Sequence, residues 1–185
     1  MLWTVFLDRD GVLNHKLPEG RYVTDWQEFH WIPGSLDALR VLAGSRARIV
    51  LVTNQQGVGK GLLTSEQLDG IHRRMQADIA AAGGRVDAVY VCPHLEGSCD
   101  CRKPAVGLFL RARRDFPDTS FSHSVVVGDS PSDVEAGKRL GTWTVLIGPP
   151  LKLLEAERHA TAPDLRAAVE RVVLPLLERS GAARE

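Results

Sequence analysis

The sequence has no excess of either charge and no long apolar run, and each absence excludes a class of function. It carries 23 basic and 23 acidic residues, so its formal net charge is zero, and no basic stripe favours nucleic acid as a partner. The longest apolar runs, such as Ile49–Val52, are far too short to cross a bilayer, so no membrane partner is expected. The N-terminus has no basic region followed by an apolar stretch, so the cytoplasm is the predicted location.

Cysteine is scarce, and the three cysteines of this 185-residue chain all lie between positions 92 and 101. An odd, clustered set without an export signal argues against a disulfide framework and favours a metal site. Cys-x-His and Cys-x-Cys flank four residues, and three thiolates with one imidazole make a closed tetrahedral zinc site. The predicted zinc ligands are Cys92, His94, Cys99 and Cys101.

Such a zinc site leaves no coordination position for water, so the metal is predicted to be structural. It would pin the loop at residues 92–104 and place Arg102 and Lys103. The alternative is three thiols in a loop that bind nothing. The histidines that stand alone in the sequence are expected to be surface or packing residues: His30, His72, His123 and His159.

The composition is typical of a soluble globular protein, with 44% hydrophobic and 25% charged residues, and one domain over residues 1–185 is expected. Five apolar runs predict buried strands, at about 3–7, 49–53, 86–91, 124–127 and 142–147. Helical patterns lie between them. The predicted fold class is therefore α/β, a three-layer Rossmann-like parallel sheet with right-handed crossovers.

Several helix ends have recognisable signals. Ser35 is predicted to be the N-cap of the first helix. Thr64 and Gln67 have the spacing of a capping box. The last helix is predicted at about 164–178, and Pro175 should end or kink it.

Polar residues follow four of the predicted strands, and these strand ends share one edge of a parallel sheet. They are Asp8 and Asp10 after the first strand, Thr53 and Asn54 after the second, Arg102 and Lys103 in the loop after the third, and Asp129 after the fourth. Ligands bind at the carboxyl ends of such strands, so one composite site is predicted. The long loop at residues 14–31 adjoins it and is predicted to be functional.

The residue types predict phosphoryl transfer. Asp8 could attack an electrophilic phosphorus and form an aspartyl phosphate. A Mg²⁺ ion held by Asp8, the backbone carbonyl of Asp10 and Asp129 would offset the charge repulsion. Asp133 is either a capping carboxylate in the first turn of a helix or a residue that orients Lys103, and both readings stay open.

The neighbouring groups would assist Asp8. Lys103 would bring positive charge to the phosphoryl oxygens, and Thr53 and Asn54 could hydrogen-bond them. Asp10 would protonate the leaving oxygen and then activate water. Taken alone, Asp8 and Asp10 could instead be turn or capping carboxylates, because aspartate is common after strands.

With these residues in order, the sequence resembles the haloacid dehalogenase-like phosphohydrolases. The matching stretches are Asp8-x-Asp10-Gly11, Thr53-Asn54, Lys103 and Gly128-Asp129-x-x-x-Asp133, and the resemblance covers about residues 5–148. The form Asp8-Arg9-Asp10-Gly11, with Cys-Pro-His…Cys-x-Cys-Arg-Lys-Pro, is similar to a narrower group. That group contains the D-glycero-D-manno-heptose 1,7-bisphosphate phosphatases and the histidinol-phosphate phosphatases, which lack a large cap domain and have a zinc loop that partly shields the site.

The loop at 14–31 bears on the choice of substrate. Arg21-Tyr22-Val23, Glu28-Phe29 and Pro33-Gly34 resemble the substrate loop of the heptose enzymes, whereas the short zinc loop is like that of the histidinol phosphatases. The expected substrate-binding residues are Asn14, Lys16, Arg21, Tyr22, Thr53, Asn54, Gln55, Gln56, Arg102 and Lys103. Lys16, Arg21 and Arg102 could grip a phosphate that is not cleaved.

The resemblance implies a Mg²⁺-dependent phosphatase that removes the C7 phosphate of D-glycero-D-manno-heptose 1,7-bisphosphate in the synthesis of ADP- or GDP-heptose. A histidinol-phosphate phosphatase is the alternative within the group. A catalytically silent α/β binding module is the alternative from another class. The expected partner is a phosphorylated small molecule, and a monomer is the expected state.

Overall fold

A parallel sheet of six strands forms the centre of the protein, whose computed structural model describes residues 2–149 and 158–182. The strands are β1 (Thr4–Leu7), β2 (Arg48–Asn54), β3 (Ala88–Cys92), β4 (Ser124–Gly128), β5 (Trp143–Ile147) and β6 (His159–Ala162). Their order across the sheet is β3-β2-β1-β4-β5-β6, and every neighbouring pair is parallel. The predicted α/β fold is confirmed, with a sixth strand that the sequence analysis missed.

Helices cover both faces of the sheet. They are α1 (Ser35–Ala43), α2 (Gln56–Gly59), α3 (Ser65–Ala81), α4 (Gly107–Asp115), α5 (Pro131–Leu140), α6 (Leu165–Ala168) and α7 (Leu174–Ala182). A π-helical turn, Val169–Val173, joins α6 to α7. Within residues 2–149 and 158–182, no helix combines the length and the apolar character that a membrane span requires.

Alternate side chains of the strands enter two separate core layers. In β1, Val5 and Leu7 lie in the cluster that includes Met75 of α3. Phe6 lies in the cluster on the opposite face, where its ring meets Phe109 of α4 edge-on at a centroid distance of 5.1 Å. Because both faces are covered, β1 to β5 are largely apolar, which is why they were visible in the sequence as apolar runs.

The register of the central strands brings their carboxyl ends to one level. Leu7 at the end of β1 lies opposite Leu51 of β2 and Val127 of β4. The next residue, Asp8, donates its backbone N–H to the Val127 carbonyl at 2.9 Å. The segment at residues 8–34, between β1 and α1, covers this edge, and the described part of the chain has no separate cap domain.

The helix ends follow the predictions in one case and differ in another. The capping box of α3 is confirmed, because Gln67 N–H donates to Thr64 Oγ1 at 3.1 Å and Thr64 N–H donates to Gln67 Oε1 at 2.7 Å. The prediction for Ser35 is wrong. Gly34 is the N-cap of α1 at φ 84°, a conformation that suits glycine, and Ser35 is the first helical residue, with its hydroxyl donating to the Leu13 carbonyl.

The last helical segment does not end at Pro175. The chain stays helical from Leu165 to Ala182 and passes through the π-helical turn just before the proline. Pro175 is the second residue of α7, where its missing N–H costs no hydrogen bond within that helix. The regular α-helix is therefore interrupted at the π-helical turn Val169–Val173, just before the proline at which the sequence predicted an end or a kink.

Candidate active site and metal centres

A cleft of about 310 Å³ opens at the carboxyl edge of the sheet, between the strand ends and the segment at residues 8–34. The predicted site residues in its lining are Asp8, Asp10, Lys16, Arg21, Tyr22, Asn54, Gln55 and Arg102. Ser130 and Ser132, at the start of α5, complete one wall. Four strand ends therefore meet in one cleft, as the parallel sheet predicted.

Lys103 connects the residues beneath this cleft. Its buried ammonium lies 3.0 Å from Asp8 Oδ1 and 2.6 Å from Asp133 Oδ1, and it donates to the Val52 carbonyl at 2.8 Å. Burial of a charged ammonium is costly unless the group is paired, and these three oxygens provide the pairing. Lys103 is thereby fixed beside Asp8, where phosphoryl oxygens would meet its positive charge.

Asp133 makes both of the contacts that the sequence left open. Its Oδ2 accepts hydrogen bonds from Ser130 N–H at 3.1 Å and from Ser130 Oγ at 2.6 Å, which caps the start of α5. Its Oδ1 holds Lys103. The carboxylate is therefore a capping group and a partner of the lysine at once.

Asp10 is held by donors from three side chains. Arg9 Nη2 donates to both carboxylate oxygens at 3.0 Å, Asn14 Nδ2 donates to Oδ1 at 2.9 Å, and Gln55 Nε2 donates to Oδ2 at 2.7 Å. Gln55 also donates to Thr53 Oγ1 at 2.9 Å. Asn14 and Thr53 are buried, so the structure places both behind the cleft, where they support Asp10 and Gln55.

The two aspartates differ in proton affinity, although only Arg9 separates them. Burial raises the pKa of Asp8 to about 7; Lys103 opposes the rise, and the charges of Asp133 and Asp10 add to it. Burial acts in the same direction on Asp10, but the Arg9 guanidinium and the two amides outweigh it and lower the pKa of Asp10 below its usual value. The surroundings of Asp10 therefore favour its carboxylate, the form that can activate water, and make its protonated form a ready proton donor.

The carboxylates at this edge fit a magnesium ion. One oxygen from each of Asp8, Asp129 and Asp133 lies within 4.8 Å of the others, and Mg²⁺ prefers such oxygen ligands. Asp129 Oδ1 is buried and has no hydrogen-bond partner in residues 2–149 and 158–182, so it is free to bind a cation. A Cβ atom on Gly11, which has φ +83°, would lie 2.3 Å from Asp129 Oδ2, so only glycine leaves room for this carboxylate.

The segment at 14–31 reaches over the metal carboxylates and the cleft. Lys16 Nζ contacts Asp129 Oδ2 at 2.8 Å, and Arg21 contacts Glu28 at 3.3 Å. Tyr22 Oη donates to Gln56 Oε1 at 3.1 Å, which explains why Gln56 supports the cleft wall without lining it. The segment therefore brings cations and a phenol to the open side of the cleft.

Arg102 enters the cleft from the opposite side, where the zinc loop ends. Its Nη1 is buried and has no hydrogen-bond partner among the described residues. A buried guanidinium nitrogen without an acceptor favours an anionic ligand. Its neighbour Lys103 is anchored through the backbone, because Asn54 Nδ2 donates to the Lys103 carbonyl at 3.1 Å and Lys103 N–H donates to Asn54 Oδ1 at 3.0 Å.

The four predicted zinc ligands come together in the loop after β3. The three Sγ–Sγ distances are 3.5 Å from Cys92 to Cys99, 3.3 Å from Cys92 to Cys101 and 3.4 Å from Cys99 to Cys101. His94 Nδ1 lies 3.2 Å from Cys101 Sγ and 3.7 Å from Cys92 Sγ. A tetrahedral ion at about 2.3 Å from each sulfur needs sulfurs about 3.8 Å apart. The three separations are within about 0.5 Å of that value, so the cluster is compatible with a zinc ion.

Two backbone amides favour the thiolate form of Cys99, one of the four predicted zinc ligands. Burial would raise the pKa of Cys99, but the N–H groups of Cys101 and Arg102 donate to its sulfur and lower the pKa to about 6. The thiolate is the form that binds metals. One of these amides belongs to Arg102, which lines the cleft, so the cysteine cluster and Arg102 share one turn.

Comparisons with known proteins agree with this geometry. Residues 100–168 match the family model described as HAD-hydrolase-like. A relative from Mycobacterium bovis, named D-glycero-alpha-D-manno-heptose-1,7-bisphosphate 7-phosphatase, is 47% identical over 134 residues, which cover 72% of this chain and 70% of the relative. A Bordetella bronchiseptica relative, named for the beta anomer of the same compound, is 35% identical over 91% of this chain and 97% of its own length. The chain belongs to the heptose-1,7-bisphosphate 7-phosphatase family of HAD-like hydrolases.

A solved member of this family has the same fold. The crystal structure of the D,D-heptose 1,7-bisphosphate phosphatase from B. bronchiseptica, complexed with magnesium and phosphate, has a TM-score of 0.84 and 33% identity, and the match covers 94% of this chain and 99% of that one. The resemblance to HAD-like phosphatases is therefore confirmed. The chain is a hydrolase of the class that acts on phosphate monoesters.

The cleft of this chain and the residues behind it include side chains that the sequence did not predict. Ser130 and Ser132 lie between Asp129 and Asp133, and their position at the start of a helix after a strand was an available signal. Arg9 gave no signal, because arginine is rarely buried, yet its side chain is fully buried against Asp10. His72, expected at the surface or in packing, is buried and contacts Arg9.

Gly128, the last residue of β4, has no space for a side chain, and we expect Gly128→Ala to impair both folding and turnover. A Cβ atom there would lie 2.1 Å from Asp133 Cγ, so Asp133 and Lys103 must shift. We expect turnover to fall by about 100-fold and the free energy of unfolding by about 1–3 kcal/mol, measured by phosphate release and urea denaturation.

Gly70→Ala in α3 is the matched control for this substitution. The nearest heavy atom to its added Cβ would be Arg73 Nη2 at 3.7 Å. We expect unchanged turnover and a gain of about 0.5–1 kcal/mol, because alanine favours a helix interior. Parental activity in Gly128→Ala would show that catalysis does not depend on the position of Asp133.

Proposed function

We propose that this chain is a Mg²⁺-dependent phosphatase that removes the C7 phosphate of D-glycero-D-manno-heptose 1,7-bisphosphate in the synthesis of ADP- or GDP-heptose. The observation that supports the reaction is the contact of Asp8 with the buried Lys103, beside Asp10, at the base of an open cleft. The relatives from M. bovis and B. bronchiseptica, both named as heptose-1,7-bisphosphate 7-phosphatases, support the substrate.

In the proposed reaction, Asp8 attacks the phosphorus and forms an aspartyl phosphate while the sugar oxygen leaves. Lys103 holds the Asp8 oxygen in place and brings positive charge to the phosphoryl group. Asp10 enters the reaction protonated and gives this proton to the leaving oxygen. Its carboxylate then removes a proton from the water that cleaves the intermediate, which returns Asp10 to the protonated form. Arg9, Asn14 and Gln55 keep the Asp10 carboxylate in one orientation through both steps.

The two metals have separate proposed roles. Mg²⁺ would be held by Asp8, the carbonyl of Asp10 and Asp129, with Asp133 close by, and when bound it neutralises the phosphoryl charge. Zn²⁺ would be structural and held by the four ligands of the loop, Cys92, His94, Cys99 and Cys101.

The phosphate that is not cleaved would be bound at the outer end of the cleft. Arg102 has a buried nitrogen without an acceptor, and Lys16 and Arg21 extend from the covering segment. We propose that these cations, with Tyr22, select a bisphosphate.

We also propose that residues 1–185 form one domain, with a substrate loop at 14–31 and a zinc loop at 92–104. The monomeric state and the cytoplasmic location stay predictions.

A substrate panel with and without Mg²⁺ tests this function. We expect phosphate release from the heptose bisphosphate in the presence of Mg²⁺, with little release from histidinol phosphate. The alpha anomer should be preferred, because the relative named for it is 47% identical and the one named for the beta anomer 35%. Much faster turnover of histidinol phosphate would favour that alternative, and no Mg²⁺-dependent turnover of any ester would indicate a silent binding module.

A further inference from the structure

Arg9 is fully buried, which is unusual for a charged side chain. It is the largest of the side chains that the structure buries completely, and it lies directly behind the active-site cleft. A buried charge is tolerated only when it is paired and its donors are satisfied. The partners of this guanidinium therefore decide how it can be oriented.

The guanidinium divides its donors between two partners on opposite sides. On the cleft side, Nε donates to Asp10 Oδ1 at 3.3 Å and Nη2 donates to both Asp10 oxygens at 3.0 Å. On the far side, Nη1 is 3.1 Å from Nε2 of His72, which α3 brings to this point. The ring of Phe29 lies 5.9 Å from the guanidinium carbon.

The chemistry of arginine fixes the state of His72. Every guanidinium nitrogen is a donor, so His72 Nε2 must accept, and the imidazole must be neutral with its proton on Nδ1. Burial and the positive charge of Arg9 act in the same sense, because both lower the pKa of His72, to about 4. His72 therefore acts as a fixed acceptor.

We propose that His72 is a positioning residue for Asp10 that acts through Arg9. By accepting from Nη1, the imidazole fixes the rotation of the planar guanidinium, and the remaining nitrogens then hold the Asp10 carboxylate towards the leaving oxygen. This role rests on the proposed function, in which Asp10 protonates that oxygen. It also explains why a lone histidine of α3, outside the cleft lining, is buried beside the catalytic strand end.

The test compares two phosphate esters that differ in their need for an acid. A sugar oxygen is a poor leaving group and depends on protonation by Asp10, whereas p-nitrophenolate leaves readily without it. We expect His72→Leu to lower kcat/KM about tenfold for the heptose bisphosphate and less than about threefold for p-nitrophenyl phosphate, since general acid catalysis contributes about 100-fold or more. kcat/KM reports the step in which the ester bond breaks, so later hydrolysis of the intermediate does not affect the comparison.

Two further variants separate positioning from folding. His72→Gln retains an acceptor for Arg9 Nη1 and should restore the ratio of the two kcat/KM values to within about twofold of the parent. Ile79→Val, which trims the same helix in the core, should leave the ratio unchanged. Because both esters are measured on one sample, the ratio does not depend on the folded fraction.

Equal losses for the two esters in His72→Leu, or no recovery in His72→Gln, would overturn the proposal. If the parent protein hydrolyses histidinol phosphate in place of the heptose ester, the same comparison is made with that alkyl phosphate, and only the proposed substrate fails. If the parent protein hydrolyses no phosphate ester, the proposed function and this role of His72 both fail.

Discussion

Asp8→Asn should abolish turnover while leaving the fold intact. The amide cannot attack phosphorus, and we expect kcat to fall by about 10⁴-fold or more, as is typical when a catalytic nucleophile is removed. The fold should survive, because Lys103 keeps Asp133 and the Val52 carbonyl as partners. Phosphate release and thermal unfolding of the same preparation measure the two effects.

The matched control for this substitution is Asp115→Asn. Asp115 is an exposed aspartate of α4 that accepts a hydrogen bond from Tyr90 Oη at 2.9 Å, away from the cleft. We expect its turnover to equal that of the parent. Radiolabelled substrate adds an independent readout, since acid-quenched parent protein should carry phosphate on Asp8 and the Asn variant should not. Activity near the parental level in Asp8→Asn would remove Asp8 as the nucleophile.

Cys101→Ala should remove the zinc ion and, with it, much of the stability and activity. Purified parent protein should contain about one zinc per chain if the four ligands form one site. Structural zinc contributes about 10 kcal/mol or more of binding free energy in small zinc domains, so its loss should unfold at least the loop at 92–104. We expect turnover to fall by at least about tenfold, because the turn that holds Cys99 also carries Arg102 and Lys103.

Ser98→Ala is the control within the same loop. Its hydroxyl is exposed and donates to the Leu95 carbonyl at 2.7 Å, so zinc content and turnover should match the parent. Zinc content by metal analysis, thermal unfolding and phosphate release are compared for the three proteins. A parent protein that is stable and active without zinc would contradict the structural role.

The sequence predicted the central strands and the convergence of their ends for a clear physical reason. Strands covered on both faces are apolar throughout, so the polar residue that follows each one, such as Asp8 or Thr53, marks its carboxyl end. β6 was missed because His159–Ala162 lies at the edge of the sheet, is only partly buried and has no β-branched apolar run.

The support behind Asp10 could not be predicted for a different reason. Arg9 and His72 meet only after α3 has packed against the sheet, and neither residue type signals burial from sequence. The family resemblance predicts Asn14 as a substrate contact, and this stays a prediction; in the structure Asn14 is buried and its amide donates to Asp10. Short-range patterns identified the reacting groups, whereas the groups that orient them depend on tertiary packing.

Asp133 serves two contacts with one carboxylate, and this limits which side chains can replace it. One oxygen of this carboxylate caps helix α5 and the other holds Lys103, so a substitution that removes both oxygens disturbs both contacts. Variants of this position that lose both contacts are therefore expected to lose stability and activity together. Arg21 of the covering segment caps none of the described helices and contacts Glu28 on the exposed side of that segment, so substitutions there can alter specificity with less effect on the fold.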